Sequence, residues 1–341
     1  MLRPEGLYCP LGDFYIDPWR PVDKAVITHA HGDHARYGSR SYLAAAPGLP
    51  LLRARLGEHA LIQTLPYGQS LPIGSTTVSF HPAGHVHGAA QIRINAQGRV
   101  WVLTGDFRIV PDETTHPWEP VRCETLITES TFGLPIYRWP AQSEWAKDIT
   151  NWWRQNAAEN NSSILLAYAL GKAQRLLAAL EKEMNNDFPG QIIAHGAVAR
   201  INQAYEEAGV KLPPTVNVTE IAKAEINKSL VIAPPSAMGS TWLKRFTPYK
   251  ISFASGWMAL RGTRRRKGVE RGFVVSDHAD WDELNQAVKE TRAERVIATH
   301  GYAEEFSHWL NEQGIAAQTF RTEYGNEEEG THLPEEEAAK L

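Results

Sequence analysis

Short apolar runs and amphipathic stretches alternate along almost the whole chain, the pattern of an α/β protein. Ala25-Val26-Ile27 reads as an early strand. Gln91 to Asn95 and Arg99 to Thr104, joined by Ala96-Gln97-Gly98, predict a hairpin with Gly98 at the turn. Ile164 to Tyr168 reads as a buried strand, Ala169-Leu170-Gly171 as a turn and Lys172 to Met184 as an amphipathic helix. Gln191 to His195, Leu230 to Ala233, Lys250 to Ala254 and Phe273 to Ser276 are further short apolar runs. A helix from Trp281 to about Arg292 and a run from Arg295 to Thr299 complete the pattern, and no internal repeat is evident.

Composition narrows the class. With 341 residues, 43% of them hydrophobic and 22% charged, the chain is long enough for two domains with sizeable cores. No apolar run approaches the roughly 18–20 residues that span a bilayer. Met1 to Gly6 lacks the apolar core of a secretory signal. Cys9 and Cys123 are the only cysteines, too few for a disulfide framework, so a reducing, cytoplasmic setting is expected with no membrane partner. From Glu323 on there are seven Glu and one Lys, a net of −6 within a chain total of −4, which leaves +2 on residues 1–322. Residues 323–341 read as an acidic, disordered tail, and local basic patches count for more than the total charge. The dense patch is Arg261, Arg264, Arg265, Arg266, Lys267 and Arg271, either a solvated loop or a contact surface for phosphates.

The concentrated chemistry is His29-Ala30-His31-Gly32-Asp33-His34, straight after the first apolar run. Side chains two apart on a strand share a face, which aims His29 and His31 to one side while Asp33 and His34 reach a second point from the turn. Two neighbouring divalent metals need such an array, with imidazoles about 2.0–2.1 Å from zinc and a carboxylate beside them. His85, within His81-Pro82-Ala83-Gly84-His85-Val86-His87-Gly88, and Asp106, within Thr104-Gly105-Asp106-Phe107, each follow a β-like run and are further candidate ligands. In the second half, Gly171-Lys172 and Ser255-Gly256 stand where a strand gives way to a helix or turn, places whose backbone N–H groups can hold a phosphate. Trp257 is either a base-stacking or a core residue.

These motifs, in this order, resemble the metallo-β-lactamase fold. His29, His31, Asp33 and His34 match its first ligand cluster, His85 its third motif, Asp106 its fourth, and Asp17 the preceding acidic motif, usually a support for ligands. Thr128-Glu129-Ser130-Thr131-Phe132-Gly133, Ser276-Asp277-His278-Ala279-Asp280 and Thr299-His300-Gly301 look like motifs A, B and C of the β-CASP nucleases. The Gly6-Leu7-Tyr8-Cys9-Pro10 and Asp17-Pro18-Trp19-Arg20-Pro21-Val22 runs look like bacterial ligase-associated DNA exonucleases. The resemblance implies a metallo-β-lactamase αββα sandwich (residues 1–139 and 263–322) with a β-CASP α/β domain inserted at 140–262.

It also implies roles. One metal falls to His29, His31 and His85, the other to Asp33, His34 and His300, with Asp106 bridging both. Zinc suits an imidazole-rich set with carboxylates, and manganese is the alternative. Asp33 and Asp106 belong to the catalytic set with His278, the proton donor to the leaving oxygen, and Glu129, which orients His278. Asp277 and Asp280 read as capping or supporting groups, and His87 as a support at best. Lys172, Ser255, Arg264, Arg265, Arg266 and Lys267 are the candidate substrate contacts. The implied reaction is hydrolysis of a phosphodiester to a 5′-phosphate and a 3′-hydroxyl, by a 5′→3′ exonuclease on single-stranded DNA in DNA repair, functionally linked to an ATP-dependent DNA ligase. His300 is the motif C residue typical of RNA-processing members, so a ribonuclease J-like or mRNA 3′-end-processing-like enzyme stays open. A silent nucleic-acid-binding subunit is disfavoured, because every expected ligand position is filled.

Overall fold

A computed structural model describes residues 1–219, 221, 226–266, 269 and 271–320. The acidic tail and Lys267 lie outside these residues. The chain divides into two compact units, Met1–Arg138 with the described residues from Asp277 on, and Trp139–Ser276.

The first unit holds two sheets. One has six strands in sequence order, Leu2–Arg3, Gly6–Cys9, Phe14–Ile16, Lys24–Val26, Ser41–Ala45 and Ile62–Leu65; its last four run parallel. The other has seven, in the order Ala316–Thr319, Arg295–Thr299, Thr125–Glu129, Arg99–Leu103, Ala90–Ala96, Thr76–Pro82 and Ser70–Ile73. The sheets share one apolar core: Phe14, Ile16, Val26 and Leu43 from the first meet Val78, Phe80, Ile92, Ile127 and Ile297 from the second. Alternation along Ala90–Ala96 and Arg99–Leu103 sends every other side chain into that core. The expected hairpin between them closes on Gln97 and Gly98, both with positive φ (54° and 79°), as a two-residue turn matched to strand twist requires.

The second unit is a five-stranded parallel sheet in the order Ile192–Ala194, Leu230–Ala233, Ser162–Leu166, Tyr249–Ala254 and Arg271–Phe273. Helices Gln142–Ala158 and Lys172–Met184 pack on it through Trp145, Ile149, Trp153, Leu176, Leu177 and Leu180. Every residue of Ser162–Leu166 is buried, as expected of a strand covered on both faces. The expected return to the first unit at residue 263 is displaced to 277. Arg271–Phe273 pairs with Ser252–Ala254 as a fifth parallel strand, and Phe273 and Val275 pack into the second core. The expected run Phe273 to Ser276 therefore contributes only Phe273 to a strand. Among the described residues no helix is long and apolar enough to cross a membrane.

Candidate metal centre

Parallel pairing brings the carboxyl ends of strands to one edge, where the following loops carry the polar groups. Asp17 follows Phe14–Ile16, and His29 comes three residues after Lys24–Val26. In the seven-stranded sheet, Asp106, Glu129 and His300 stand at or just past the ends of Arg99–Leu103, Thr125–Glu129 and Arg295–Thr299. Those three strands are parallel neighbours, with Leu103 opposite Ile127 and Glu129 opposite Thr299. Close approach is built in at Gly105, where φ is +56° and an added Cβ would lie 2.7 Å from the Thr28 side chain. Asp17 and His300 themselves have positive φ (41° and 59°), at a cost on the order of 1 kcal/mol each.

His29 Nε2 and His85 Nε2 each lie 3.0 Å from His31 Nδ1. Asp106 Oδ2 lies 3.4 Å from His29 Nε2 and 3.6 Å from His85 Nε2. A tetrahedral zinc with bonds of about 2.0–2.1 Å spaces its ligand atoms about 3.3 Å apart, so these four atoms have the spacing of one coordination shell. The same Asp106 oxygen is 3.4 Å from His34 Nε2, which in turn is 3.5 Å from Asp33 Oδ2. His300 is the most distant member, its ring stacked on that of His34 with centroids 5.8 Å apart.

The hydrogen bonds around the rings decide which nitrogens face inward. Thr28 Oγ1 spends its proton on Asp17 Oδ2 at 2.6 Å, so towards His29 Nδ1, 3.0 Å away, it accepts. His85 Nδ1 donates to the Asp277 carbonyl at 2.8 Å, and His34 Nδ1 donates to Asp17 Oδ2 at 2.8 Å. For His29 and His85 the inward Nε2 is then a lone pair, facing a buried carboxylate oxygen. Acceptors facing acceptors inside a protein call for a cation between them, and outer N–H groups anchored on carbonyl or carboxylate oxygens are the usual support for metal-binding imidazoles. The donor set fits a divalent metal.

Electrostatics agree. Burial, with the His34 charge beside it, holds His29 well below the usual imidazole range, and burial with His278 pushes His85 down to about 3. Burial works against a charge on His34 too, but Asp106, Asp33 and Asp17 outweigh it and raise its pKa well above the usual value. Asp106 is buried as well, which would raise its pKa, yet the His34 and His278 charges hold it well below the carboxylate range. His34 thus supplies positive charge at the place a metal would take.

No family model matches the chain. Over 314 residues it is 31% identical to a protein of Opitutus terrae named a probable DNA ligase, covering 92% of this chain and 30% of that one. Over 198 residues it is 25% identical to ribonuclease TTHA0252 of Thermus thermophilus, 49% of this chain and 44% of the relative. The chain thus spans less than half the length of either. The chain is a relative of the β-CASP nucleases. A solved structure of a protein of unknown function from Enterococcus faecalis V583 shares the fold, with a TM-score of 0.57 over 89% of this chain and 80% of its own at 12% identity.

The residues resembling β-CASP motifs A and B meet in the first unit. His278 Nδ1 donates to Glu129 Oε2 at 2.8 Å, and Thr131 Oγ1 donates to the same oxygen at 2.6 Å. Both members of the pair are buried, and burial raises the Glu129 pKa despite the His278 charge. The His278 ring lies 4.6 Å from that of His85, which places the pair at the edge of the metal cluster. Asp280 caps the helix Trp281–Thr291, its Oδ1 accepting from Asp282 N and Glu283 N. His87 stands apart: its Nδ1 meets the Thr114 carbonyl at 3.0 Å and its ring neighbours His116.

The β-CASP substrate candidates belong to the second unit. Lys172 and Ser255 follow the ends of the adjacent strands Ser162–Leu166 and Tyr249–Ala254. Lys172 is buried, its Nζ 4.8 Å from the Tyr168 ring centre. Ser255 Oγ accepts from Trp257 N at 3.3 Å, and Trp257 is buried, which favours its core reading. Arg264, Arg265 and Arg266 fall in the helix Arg261–Arg266; Arg265 is exposed, while the side chains of Arg264 and Arg266 are outside the description. Arg271 faces Asp148 at 3.7 Å.

Two supports of this β-CASP site escaped the sequence reading. Thr28 joins Asp17 to His29, and Arg55 holds the carbonyls of Ala35 and Gly32 at 3.2 and 3.4 Å, steadying the loop that carries His31 and Asp33. Thr28 links two side chains through its hydroxyl and Arg55 holds main-chain carbonyls, and no local pattern marks either. Asp17→Asn tests such support. Asparagine tolerates the left-handed backbone but loses the charge that accepts from both His34 Nδ1 and Thr28. Metal affinity measured by chelator competition should fall about 10–100-fold with the fold intact; unchanged affinity would remove Asp17 from the role.

Proposed function

We propose that this protein is a two-metal phosphodiesterase that degrades DNA from an end, and that its first unit is the metallo-β-lactamase αββα sandwich and its second the inserted β-CASP domain. The observation carrying this reading is the convergence of His29, His31, His85 and Asp106 on one point, with Asp106 Oδ2 also facing His34. His29, His31 and His85 would hold one cation and Asp33, His34 and His300 the other, with Asp106 shared; zinc is the first choice and manganese the second. Bound there, the cations would lower the pKa of a water and neutralise charge on the phosphate.

The protein's own groups do the rest. Glu129 fixes the Nδ1 side of His278, so Nε2 is the atom that gives its proton to the departing 3′-oxygen. The products are then a 5′-phosphate and a 3′-hydroxyl, the two ends a DNA ligase joins, which supports the functional link to an ATP-dependent ligase in the cytoplasm. The helix start at Lys172 and the Ser255 hydroxyl, with Arg264, Arg265, Arg266 and Lys267, would contact the phosphates of the strand. The Ser255 N–H is already given to the Phe273 carbonyl at 3.1 Å. Likeness over 92% of the chain to a protein named a DNA ligase supports DNA. The second reading, a ribonuclease, is favoured by the ribonuclease from Thermus thermophilus and by the histidine at position 300.

Single strands of DNA and RNA, labelled at either end and incubated with zinc or manganese, separate the two. The DNA reading expects mononucleotide 5′-phosphates as the first product from 5′-labelled DNA. Internal cuts in RNA with DNA left whole would establish the second reading instead. Between 50 and 200 mM salt, strand binding should weaken at least about tenfold if cationic groups track phosphates. A flat salt response would count against the basic patch.

A further inference from the structure

Glu283 lies in the first turn of the helix Trp281–Thr291 and is buried. Its Oε2 accepts from Asp280 N at 3.0 Å while Asp280 Oδ1 accepts from Glu283 N at 3.0 Å, a reciprocal cap. Such a cap uses one carboxylate oxygen. The other, Oε1, accepts from Ile109 N at 3.0 Å and Val110 N at 2.7 Å, backbone groups more than 170 positions away in sequence.

Those two amides belong to the segment that follows Asp106, which is neither helix nor strand. Phe107 N donates to Glu129 Oε1 at 2.8 Å, and Arg108 N donates to the Ala83 carbonyl at 2.9 Å. Four successive N–H groups, 107 to 110, thus have fixed acceptors, three of them bonded to buried carboxylates. Hydrogen bonds to a charged acceptor are roughly twice as strong as neutral ones. The segment is also pressed against the loop bearing His85: a Cβ on Gly84 would sit 2.1 Å from the Arg108 carbonyl oxygen. Asp106 Oδ2 keeps distances of 3.4, 3.4 and 3.6 Å to three imidazoles, and a backbone slip of about 1 Å would break that match.

We propose that Glu283 is a positioning residue for Asp106: it locks the Asp106 loop to the helix start beside His278, so that the shared carboxylate and the proton donor keep one fixed separation. This inference rests on the metal-centre reading above. Glutamine at 283 keeps the size but offers one acceptor oxygen where the clamp and the cap need two, and turns N–H groups toward backbone N–H donors.

The test uses the full-length protein stripped of metal, and compares Glu283→Gln with Val288→Ala, a buried change further along the same helix. Chelator competition with Zn²⁺ and with Mn²⁺ reads metal affinity, amide hydrogen exchange reads the 107–110 segment, and thermal melting reads stability. Glu283→Gln should lower metal affinity about 10–100-fold and speed exchange at Phe107 to Val110. Val288→Ala should lower the melting temperature and leave both other readings at the parent level. Equal metal affinity in Glu283→Gln and parent, or an equal loss in Val288→Ala, overturns the inference while leaving the metal centre standing. A parent protein that takes up no divalent metal overturns both.

Discussion

Asp106→Asn protein should emerge from purification carrying neither cation and with no turnover above background. One oxygen of Asp106 faces His29 and His85 on one side and His34 on the other, so a single neutral amide withdraws an anionic ligand from both positions. Removing one partner from a buried charge pair costs about 3–5 kcal/mol. At about 1.4 kcal/mol per tenfold, metal affinity should fall on the order of 10²–10⁴. Metal content by mass spectrometry after gel filtration, with chelator competition for the weakened sites, reads this directly. Full occupancy in the variant would refute the shared-ligand assignment.

The metal-stripped protein carries a second signature of the same carboxylate. Asp106 has its pKa held below the usual carboxylate range, so its contribution to stability is complete above about pH 4 and is lost as pH falls through the lowered value. His34 is shifted up, so its contribution is complete below about pH 6.5 and is lost as pH rises through the raised value. Between those limits both are present. In Asp106→Asn the first charge that supports His34⁺ is gone, and the alkaline loss of stability should shrink. In the parent, metal uptake must expel the His34 proton, so affinity should climb with pH over the range where His34 is protonated in the stripped protein.

How much of this was legible depends on sequence distance. His29, His31, Asp33 and His34 sit in six residues, so the cluster is legible as a cluster. The strand expected to aim His29 and His31, however, ends at Val26, and both imidazoles are carried by the loop after it. The Gln97-Gly98 hairpin and the Asp280 cap were readable for the same reason, since each is written in its own neighbourhood. His85, Asp106, Glu129, His278 and His300 are drawn in by pairing between strands far apart, such as Thr125–Glu129 with Arg295–Thr299, which composition and periodicity do not specify. Their place in one site came from resemblance. The boundary near 262 was misplaced because Phe273 is apolar in either unit, and only pairing with Ala254 decides which sheet it joins. Glu283 shows the limit: its spacing from Asp280 announces a helix cap, but nothing local announces that its second oxygen reaches the loop after Asp106.

His278→Ala should behave oppositely to Asp106→Asn. His278 comes within reach of Asp106 and His85 but is not one of the four groups, His29, His31, His85 and Asp106, that converge on one point. His85 is anchored on a main-chain carbonyl, that of Asp277, which the substitution leaves in place. Metal content should therefore match the parent, while turnover falls on the order of 10²–10⁴, the range for a positioned proton donor. Destabilisation could lower turnover for other reasons, so the leaving group is the decisive variable. A strand with sulfur in place of the bridging 3′-oxygen departs as a thiolate and needs no proton. His278→Ala should lose little against that substrate and its full factor against the oxygen parent, and Glu129→Gln should follow the same pattern more weakly, because it leaves the imidazole present but poorly oriented. Equal losses on the two substrates would mean that His278 does not deliver the proton, and a loss of metal from the variant would move it into the ligand set instead.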